Sequence, residues 1–415
     1  MRESKKLPAD FTLFLTTMCL FGIGILMVFD ASFAKAADMK MTGGDSWYFV
    51  KRQLIFGVAG LAMMFGMMRL RLETLRRMAL PLLIASIGLL VLVLIPGIGV
   101  RANGAARWLP VGPFRFQPSE FAKFAVVIYL AAALSGQNFR VRKFWSGMFI
   151  HLTIVGLVAG LVLVEPDMGT SSLIVINTLI MLFVAGALSR HLACLAGAGV
   201  LGFGALAVVE PYRLARLITF LDPMKDKFGK GYQIVHSLVA LGSGGLLGRG
   251  LCEGREKFYI PAAQTDFIFS TLGEEAGLLG SLVVLALFGL LTYRGLSIAN
   301  RAKSPYYTLL AAGLTAMVSA QAIINVCVVT SSMPATGVPL PFVSYGGSAL
   351  MFALMAAGLL LNISQNTNAT TDRSVEEIDE GRADRRRDRR SHIPRPQHSG
   401  RDAGRRSRSR STIYR

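Results

Sequence analysis

Ten apolar runs recur along this chain, most of them close to the length of a helix that crosses a bilayer. They lie near residues 11–33, 54–68, 78–95, 119–135, 148–164, 171–188, 191–209, 266–292, 306–330 and 345–363. With 53% hydrophobic and only 17% charged residues, the 415-residue chain is too apolar for a soluble globule. A spanning helix needs about 20 mainly apolar residues, so the sequence predicts an all-α polytopic membrane protein with about ten transmembrane helices.

Basic residues near the ends of these runs predict which side faces the cytoplasm. Three short loops carry them: Arg69, Arg71, Arg76 and Arg77; Arg140, Arg142 and Lys143; and Arg294, Arg301 and Lys303. All three loops fall on one side of a ten-span chain, and an excess of Lys and Arg marks the cytoplasmic side. Because ten is even, both termini lie on that side. The sequence predicts a cytoplasmic segment at 1–10, a transmembrane domain at 11–365 and a disordered, Arg-rich cytoplasmic tail at 366–415.

The predicted outer side also carries positive charge. Loop 97–118 and the long outer loop at about 210–265, between helices 7 and 8, contain Arg101, Arg107, Arg115, Arg213, Arg216, Lys225, Lys227, Lys230, Arg249, Arg255 and Lys257. One interpretation is simple tolerance, because long loops translocate almost regardless of charge. The other is that these cations bind an anionic substrate. The net charge of +19 indicates a membrane surface rather than nucleic acid, because the basic residues are scattered between apolar runs.

Two polar clusters fall at the predicted outer ends of early runs. In QPSEFAK (117–123), Ser119 can cap a helix, and Glu120 and Lys123 share one helix face. Buried charge in a membrane is costly, so this pair is expected to face protein or water, or to be only an interfacial ion pair. In EPDMGT (165–170), Asp167 indicates contact with a cation or hydroxyl, although a tight structural corner explains the string equally well.

Two further clusters lie in the second half of the chain. The polar string KFYIPAAQTDFIF (257–269) places Asp266 at the mouth of a span, where it is either a helix cap or a general base beside a basic groove. Glu274 and Glu275 lie about two turns deeper and are less accessible candidates. The string PLPFVSYGGS (339–348) bends the chain before the last span, and we interpret it mainly as a packing element.

Other kinds of site are not indicated by the sequence. Cys19, Cys194, Cys252 and Cys327 are far apart without a CxxC pair, which favours neither disulfides nor a zinc site. There is no P-loop and no spacing typical of metal ligands, which argues against an ATP-driven pump. No metal site is therefore predicted.

Taken in order, six strings resemble the SEDS family (shape, elongation, division and sporulation proteins, of FtsW and RodA type). They are KRQ (51–53), NGAARW (103–108), QPSEFAK, EPDMGT, TDFIF (265–269) with GEE (273–275), and PLPFVSYGGS. The similarity covers about residues 10 to 363. Arg255, Glu256 and Lys257 and the long charged tail are more similar to division members of FtsW type than to elongation members.

This resemblance implies a peptidoglycan glycosyltransferase that polymerises lipid II at the outer face of the bacterial plasma membrane, at the division septum. The essential loop aspartate of the family corresponds to Asp266, and its cavity-lining acid and base to Glu120 and Lys123. Implied partners are a class B penicillin-binding protein and other divisome proteins. One departure is Ala262, where many members have glutamate, so a role of that glutamate does not apply here.

The expected mechanism inverts configuration, with Asp266 as general base. Arg107, Lys123 and Lys257 are predicted to neutralise the diphosphate, and Asp167, Lys51 and Arg52 complete the predicted substrate-binding set with Glu120. A divalent cation, Mg²⁺ or Mn²⁺, is an optional cofactor without a dedicated site. Two alternatives remain: a lipid II flippase that uses the same basic groove, and a non-catalytic divisome scaffold.

Overall fold

The computed structural model describes residues 8–38, 42–102, 105–136, 144–209, 211–229, 231–261 and 263–366. These residues form thirteen α-helices: α1 (Phe11–Asp38), α2 (Tyr48–Arg69), α3 (Leu72–Arg77), α4 (Ala79–Leu94), α5 (Pro118–Leu134), α6 (Phe149–Val164), α7 (Met168–Val184), α8 (Ser189–Val209), α9 (Pro211–Leu221), α10 (Tyr232–Ser243), α11 (Ile268–Arg301), α12 (Pro305–Val329) and α13 (Gly347–Asn366). A π-helical turn at Phe144–Met148 and 3₁₀ turns at Pro223–Asp226 and Glu256–Phe258 complete the helical structure of these ranges.

The helices confirm the polytopic membrane fold. Each of the ten apolar runs coincides with one helix, whereas α3, α9 and α10 lie between runs. Within the described ranges, α1 (through Phe33), α2, α11, α12 and α13 are long and apolar enough to cross a membrane, and α4, α6 and α7 are shorter apolar helices. The chain is therefore a multi-pass membrane protein, and the count of ten spans stays a prediction.

Hydrogen bonds bring together the ends of helices that carry the basic residues. The Asp10 backbone N–H donates to Ser364 Oγ at 3.0 Å, and Asp10 pairs with Arg294 near the end of α11. The Asn362 amide donates to the Met67 carbonyl at 2.6 Å and also to that of Leu70, at the end of α2. The start of α1 and the ends of α2, α11 and α13 thus share one side of the bundle, which is the side predicted to be cytoplasmic.

The centre of the bundle is formed by α5 and α12. Most of α5 is buried, including its two charged residues, and α12 packs against α5, α7 and α11. Gly313 of α12 marks the closest approach, because a Cβ there would lie 2.8 Å from Met181 Sδ and 2.9 Å from Val127 Cγ1. Small residues permit such close helix packing in membranes, so the charged face of α5 is held against protein rather than lipid.

A small antiparallel sheet lies between α4 and α5. Strands β1 (Val100–Ala102), β2 (Ala105–Val111) and β3 (Phe114–Phe116) are in the order β1-β2-β3, with Leu109 opposite Phe116. Only a loop was expected here, because two of the strands have three residues each and give little periodicity. Phe114 packs against Phe56 and Phe116 against Phe352, which attaches the sheet to α2 and α13.

Candidate active site

The polar cluster that contains Asp266 lies at the end of the bundle opposite the basic loops. Helix α11 begins at Ile268 with Phe267 as its N-cap residue, so the helix-cap interpretation of Asp266 is wrong. The Asp266 side chain is partly exposed but recessed among protein groups. Burial raises its pKa to about 6, the positive charges of Arg216 and Arg107 oppose that rise, and the negative charge of Asp167 adds to it. A carboxylate with this pKa is a suitable general base near neutral pH.

The backbone around Asp266 is held by two neighbouring segments. The Asn325 amide on α12 donates to the carbonyls of Asp266 and Val338, both at 2.8 Å. Ser344 Oγ donates to the Thr265 carbonyl at 2.6 Å, and the Tyr345 N–H donates to the Gln264 carbonyl at 2.8 Å. The segment 339–348 therefore supports the Asp266 loop, which agrees with its interpretation as a packing element.

Gly337 lies beside the Asp266 carboxyl. Its φ is +75°, in the left-handed region, and a Cβ there would lie 3.5 Å from Asp266 Oδ2. Glycine is the residue that adopts this conformation without strain. The loop after α12 therefore forms one wall of the recess around Asp266.

Arg107 connects the small sheet to the corner between α6 and α7. From β2, its Nε donates to the Glu165 carbonyl at 3.1 Å and its Nη2 donates to the Pro166 carbonyl. Guanidinium has five N–H donors in total, so donors remain for an anionic ligand. This arrangement brings Arg107 into the electrostatic neighbourhood of Asp266, and its role in binding substrate stays a prediction.

Asp167 forms the corner itself. Its Oδ1 accepts from the Thr170 N–H at 3.0 Å and its Oδ2 from Thr170 Oγ1 at 2.8 Å, which caps α7. Gln117 Nε2 and Ser119 Oγ also donate to Asp167 Oδ2, at 3.4 and 3.5 Å. Both interpretations of EPDMGT therefore apply, because the corner is structural and Asp167 contacts hydroxyl groups. Its role in binding substrate stays a prediction.

Glu165, which the sequence analysis did not single out, is a buried carboxyl beside this group. It is 1% exposed, and neither side-chain oxygen has a hydrogen-bond partner in the described structure. Burial, with the negative charge of Asp167, raises its pKa to about 8 against the opposing charge of Arg107. The carboxyl is therefore neutral at pH 7. Two acids close together in sequence are a signal for such a shift, but depth decides which acid is affected.

Glu120 and Lys123 form a buried ion pair near the start of α5. Lys123 Nζ lies 2.9 Å from Glu120 Oε1 and donates to Gln321 Oε1 on α12 at 2.8 Å. As expected, the pair faces protein rather than lipid. The expected Ser119 cap is wrong, because Gln117 is the N-cap residue and Pro118 takes the first helical position.

Lys257 lies in a second buried cluster rather than with the residues that surround Asp266. Its Nζ lies 2.6 Å from Asp30 Oδ1 on α1 and 2.7 Å from Glu275 Oε1 on α11. Both carboxylates are nearly inaccessible to solvent, so the ammonium is already neutralised. This placement does not favour the predicted contact with a diphosphate.

Lys51 and Arg52 lie at the surface of the start of α2. Lys51 pairs with Asp45 at 2.8 Å, and both side chains are largely exposed. The Arg52 guanidinium lies over the rings of Tyr48 and Phe114, 4.5 and 5.9 Å from their centroids. Of the predicted substrate-binding residues, Arg107 and Asp167 affect the pKa of Asp266 electrostatically. Arg216, which is not part of that predicted set, does so as well.

Nowhere in the described ranges do three or more His, Cys, Asp or Glu side chains converge in a way that could hold a metal ion. Ala262, like Asn103 and Gly104, lies outside the described residues.

The sequence of the chain matches one family of known proteins. Residues 11–369 match the profile described as cell cycle protein, of FtsW, RodA and SpoVE. The chain belongs to this FtsW/RodA/SpoVE family. Among curated FtsW/RodA/SpoVE proteins, it is 43% identical over 363 residues to "Stage V sporulation protein E" of Bacillus subtilis, covering 87% of this chain and 98% of that protein. It is 42% identical to "Probable peptidoglycan glycosyltransferase FtsW" of Trichlorobacter lovleyi, covering 86% and 93%.

Solved structures of the FtsW/RodA/SpoVE family share the fold. One chain, from work described as "Structural coordination of polymerization and crosslinking by a peptidoglycan synthase complex", aligns with a TM-score of 0.73 at 29% identity, covering 87% of this chain and 99% of that one. The rod shape determining protein RodA of Thermus thermophilus aligns with a TM-score of 0.64 at 28% identity, covering 87% and 98%.

Proposed function

We propose that this chain is a peptidoglycan glycosyltransferase that polymerises lipid II at the outer face of the bacterial plasma membrane. The observation that carries the proposal is the recessed, partly exposed Asp266 carboxyl with a pKa of about 6, beside the guanidinium groups of Arg107 and Arg216. A base next to fixed positive charge suits a reaction in which a hydroxyl loses a proton while a diphosphate leaves. The FtsW-named relative supports the substrate class.

In the proposed step, Asp266 takes the proton from the 4-hydroxyl of the acceptor sugar. The resulting oxygen attacks the anomeric carbon of the donor, and the bond from that carbon to the diphosphate oxygen breaks. The leaving polyprenyl diphosphate takes the bonding electron pair, and the proton on Asp266 later passes to water. Attack opposite the leaving group inverts configuration, so one base suffices and no covalent enzyme intermediate is needed.

Arg107 and Arg216 are the proposed partners of the leaving diphosphate. Each guanidinium is held in place by backbone carbonyls, Arg107 by Glu165 and Arg216 by Ala335, whose oxygen lies 2.9 Å from Arg216 Nη1. Planar guanidinium groups bind phosphate oxygens with two parallel hydrogen bonds. Lys123 is already paired with Glu120, so its charge is neutralised, as for Lys257, and we do not propose it as a partner of the diphosphate.

The test is polymerisation of purified lipid II by an Asp266→Asn variant. Removal of a general base is expected to lower the rate about 10²- to 10⁴-fold, while binding of lipid II is retained. Asp222→Asn, which alters an exposed acid of the same long loop, is the matched control. Glycan chains formed by Asp266→Asn at the wild-type rate would remove Asp266 from the mechanism.

A flippase is the main alternative, and the products distinguish the two functions. A transporter relocates lipid II intact, whereas a polymerase releases polyprenyl diphosphate and forms glycan. The residues that act on Asp266 come from one end of the bundle instead of lining a path through it, which favours the polymerase.

We also propose a class B penicillin-binding protein as partner and the division septum as location. The solved relative that combines polymerisation with crosslinking supports such a partner. The division into segments 1–10, 11–365 and 366–415 belongs to the same proposal. Residues 367–415 lie outside the described residues. Copurification with the transpeptidase and septal fluorescence of a tagged chain test these points.

A further inference from the structure

A cavity of about 460 Å³ opens beside the Asp266 loop. Its walls come from α9, from the start of α10, from the segment before Asp266 and from the loop after α12. The lining residues include Arg216, Thr219, Phe228, Tyr232, Gln233, Pro261 and Ala335. The volume is within the range of small-molecule sites, about 300–1,000 Å³. The mechanism above uses only Arg216 of this lining.

Three contacts connect the cavity to the catalytic carboxyl. Arg216 lines the cavity and also lowers the pKa of Asp266. Arg216 Nη1 donates to the carbonyl of Ala335, another lining residue, at 2.9 Å. Gly337 lies two residues after Ala335 and is adjacent to the Asp266 carboxyl: a Cβ added to Gly337 would lie 3.5 Å from Asp266 Oδ2. The cavity therefore lies next to residues that surround the Asp266 carboxyl.

The chemistry of the lining favours an uncharged, hydroxyl-rich ligand. Arg216 is the one charged side chain among the described lining residues, whereas Thr219, Gln233 and Tyr232 offer neutral donors and acceptors. The rings of Tyr232 and Phe228 add apolar faces, against which the C–H face of a pyranose can pack. The Arg107 side of Asp266 differs, because the charges of both Arg107 and Asp167 act on the carboxyl there.

Tyr232 is a preorganised part of the cavity wall. Its ring lies 4.3 Å from that of His236, which stacks on Tyr259 at 5.4 Å with an interplanar angle of 16°. His236 Nδ1 in turn lies 2.6 Å from Glu256 Oε2. A ring fixed in a stack loses little conformational entropy when a ligand packs against it.

We propose that this cavity is a subsite for a neutral N-acetylated sugar of the glycan strand, adjacent to the bond that Asp266 forms. The inference rests on the proposed glycosyltransferase function and adds a place where the strand is held between successive additions. Arg107 and Arg216 bind the diphosphate, and the neutral side chains of the cavity bind the carbohydrate. Loss of the subsite is expected to release strands early, so that they are shorter.

The experiment compares glycan chain length in the full chain, using lipid II polymerisation with Tyr232→Ala and Gln233→Ala. Each variant is expected to give chains about three- to tenfold shorter, as for the loss of one hydrogen bond or ring contact. The initial rate of lipid II consumption is expected to change less than the length. Tyr293→Ala, an exposed tyrosine of α11, is the matched control. Chains of wild-type length from both variants would overturn the proposal.

A direct binding measurement covers variants that fold poorly. The probe is a short oligomer of N-acetylglucosamine, observed by saturation-transfer NMR with the detergent-solubilised wild-type chain and with Gln233→Ala. Weaker transfer in Gln233→Ala supports the subsite, and equal transfer contradicts it. If the wild-type chain makes no glycan at all, the proposed function fails, whereas the binding result still decides whether a sugar occupies the cavity.

Discussion

Lys257 Nζ lies 2.6 Å from Asp30 Oδ1, which joins the long loop before α11 to the first helix. Glu275 completes this cluster, because it contacts Lys257 and also accepts the backbone N–H groups of Cys252 and Gly254. The adjacent Glu274 accepts those of Arg255 and Glu256. Glu274 and Glu275, predicted as less accessible candidates for catalysis, thus anchor the loop that leads to Asp266.

Lys257→Met is predicted to destabilise the protein and to lower its activity. The change leaves the carboxylates of Asp30 and Glu275 buried without their counterion, which costs about 3–5 kcal/mol. The thermal unfolding midpoint measures this loss, and Lys225→Met on the exposed part of the loop is the control. The double variant Lys257→Met with Asp30→Asn is expected to recover part of the stability. A Lys257→Met protein as stable as wild type, but unable to bind undecaprenyl diphosphate, would instead support a direct substrate contact.

The rate of polymerisation is predicted to fall below about pH 6. Asp266 must be ionised to accept a proton, and its pKa of about 6 lies above the usual value for aspartate. About nine-tenths of the carboxyl is then ionised at pH 7 and about one-tenth at pH 5. The measurement is kcat/KM against pH in mixed buffers at constant ionic strength. A flat profile between pH 5 and 7 would be inconsistent with Asp266 as the base.

Glu165→Gln is predicted to stabilise the protein at alkaline pH. The folded pKa of Glu165, about 8, is above the ordinary value of 4.5, so its stabilising contribution is complete below 4.5 and is lost as the pH rises to 8. Glutamine resembles the neutral carboxyl and does not ionise. The thermal midpoint of Glu165→Gln relative to wild type should therefore increase from pH 5 to pH 8. An equal difference at both values would indicate that Glu165 is not neutral when folded.

Lys123→Met is predicted to destabilise the bundle core more than the paired change Glu120→Gln with Lys123→Met. The single variant leaves Glu120, which is 4% exposed, without its partner at 2.9 Å, whereas the double variant removes both charges. Unfolding midpoints of the two proteins give the comparison, and lipid II binding by the double variant measures any role in the substrate site. Equal stability of the two variants would argue against a structural role of the pair.

Much of the helical fold could be predicted from the sequence, because long apolar runs leave few alternatives in lipid. The small sheet could not be predicted, because it is held in place by tertiary contacts of Phe114 with α2 and of Phe116 with α13. Short strands carry little signal of their own. The polar clusters could also be predicted, because charged residues stand out next to an apolar run.

The partners within the candidate site were harder to predict. Arg107, Asp167 and Asp266 come from three distant segments, and only the folded chain places them within electrostatic range of one another. Lys257 shows the limit most clearly, because a basic residue in an outer loop suggests a ligand for anions. Its actual partner Asp30 is 227 positions away along the chain. Depth and pairing, which decide whether a charge is available, are tertiary properties.

Asn325 has a further consequence for control of the enzyme. Its single amide donates to the backbone of Asp266 and of Val338, so both loops are attached to the C-terminal end of α12. A small tilt of α12 would move Asp266 and the loop of Val338 together. It would change the distance between the Asp266 carboxyl and Arg107, because Arg107 is attached to the α6–α7 corner. A displacement of the helices packed around α12 would thus open or close the catalytic gap from a distance.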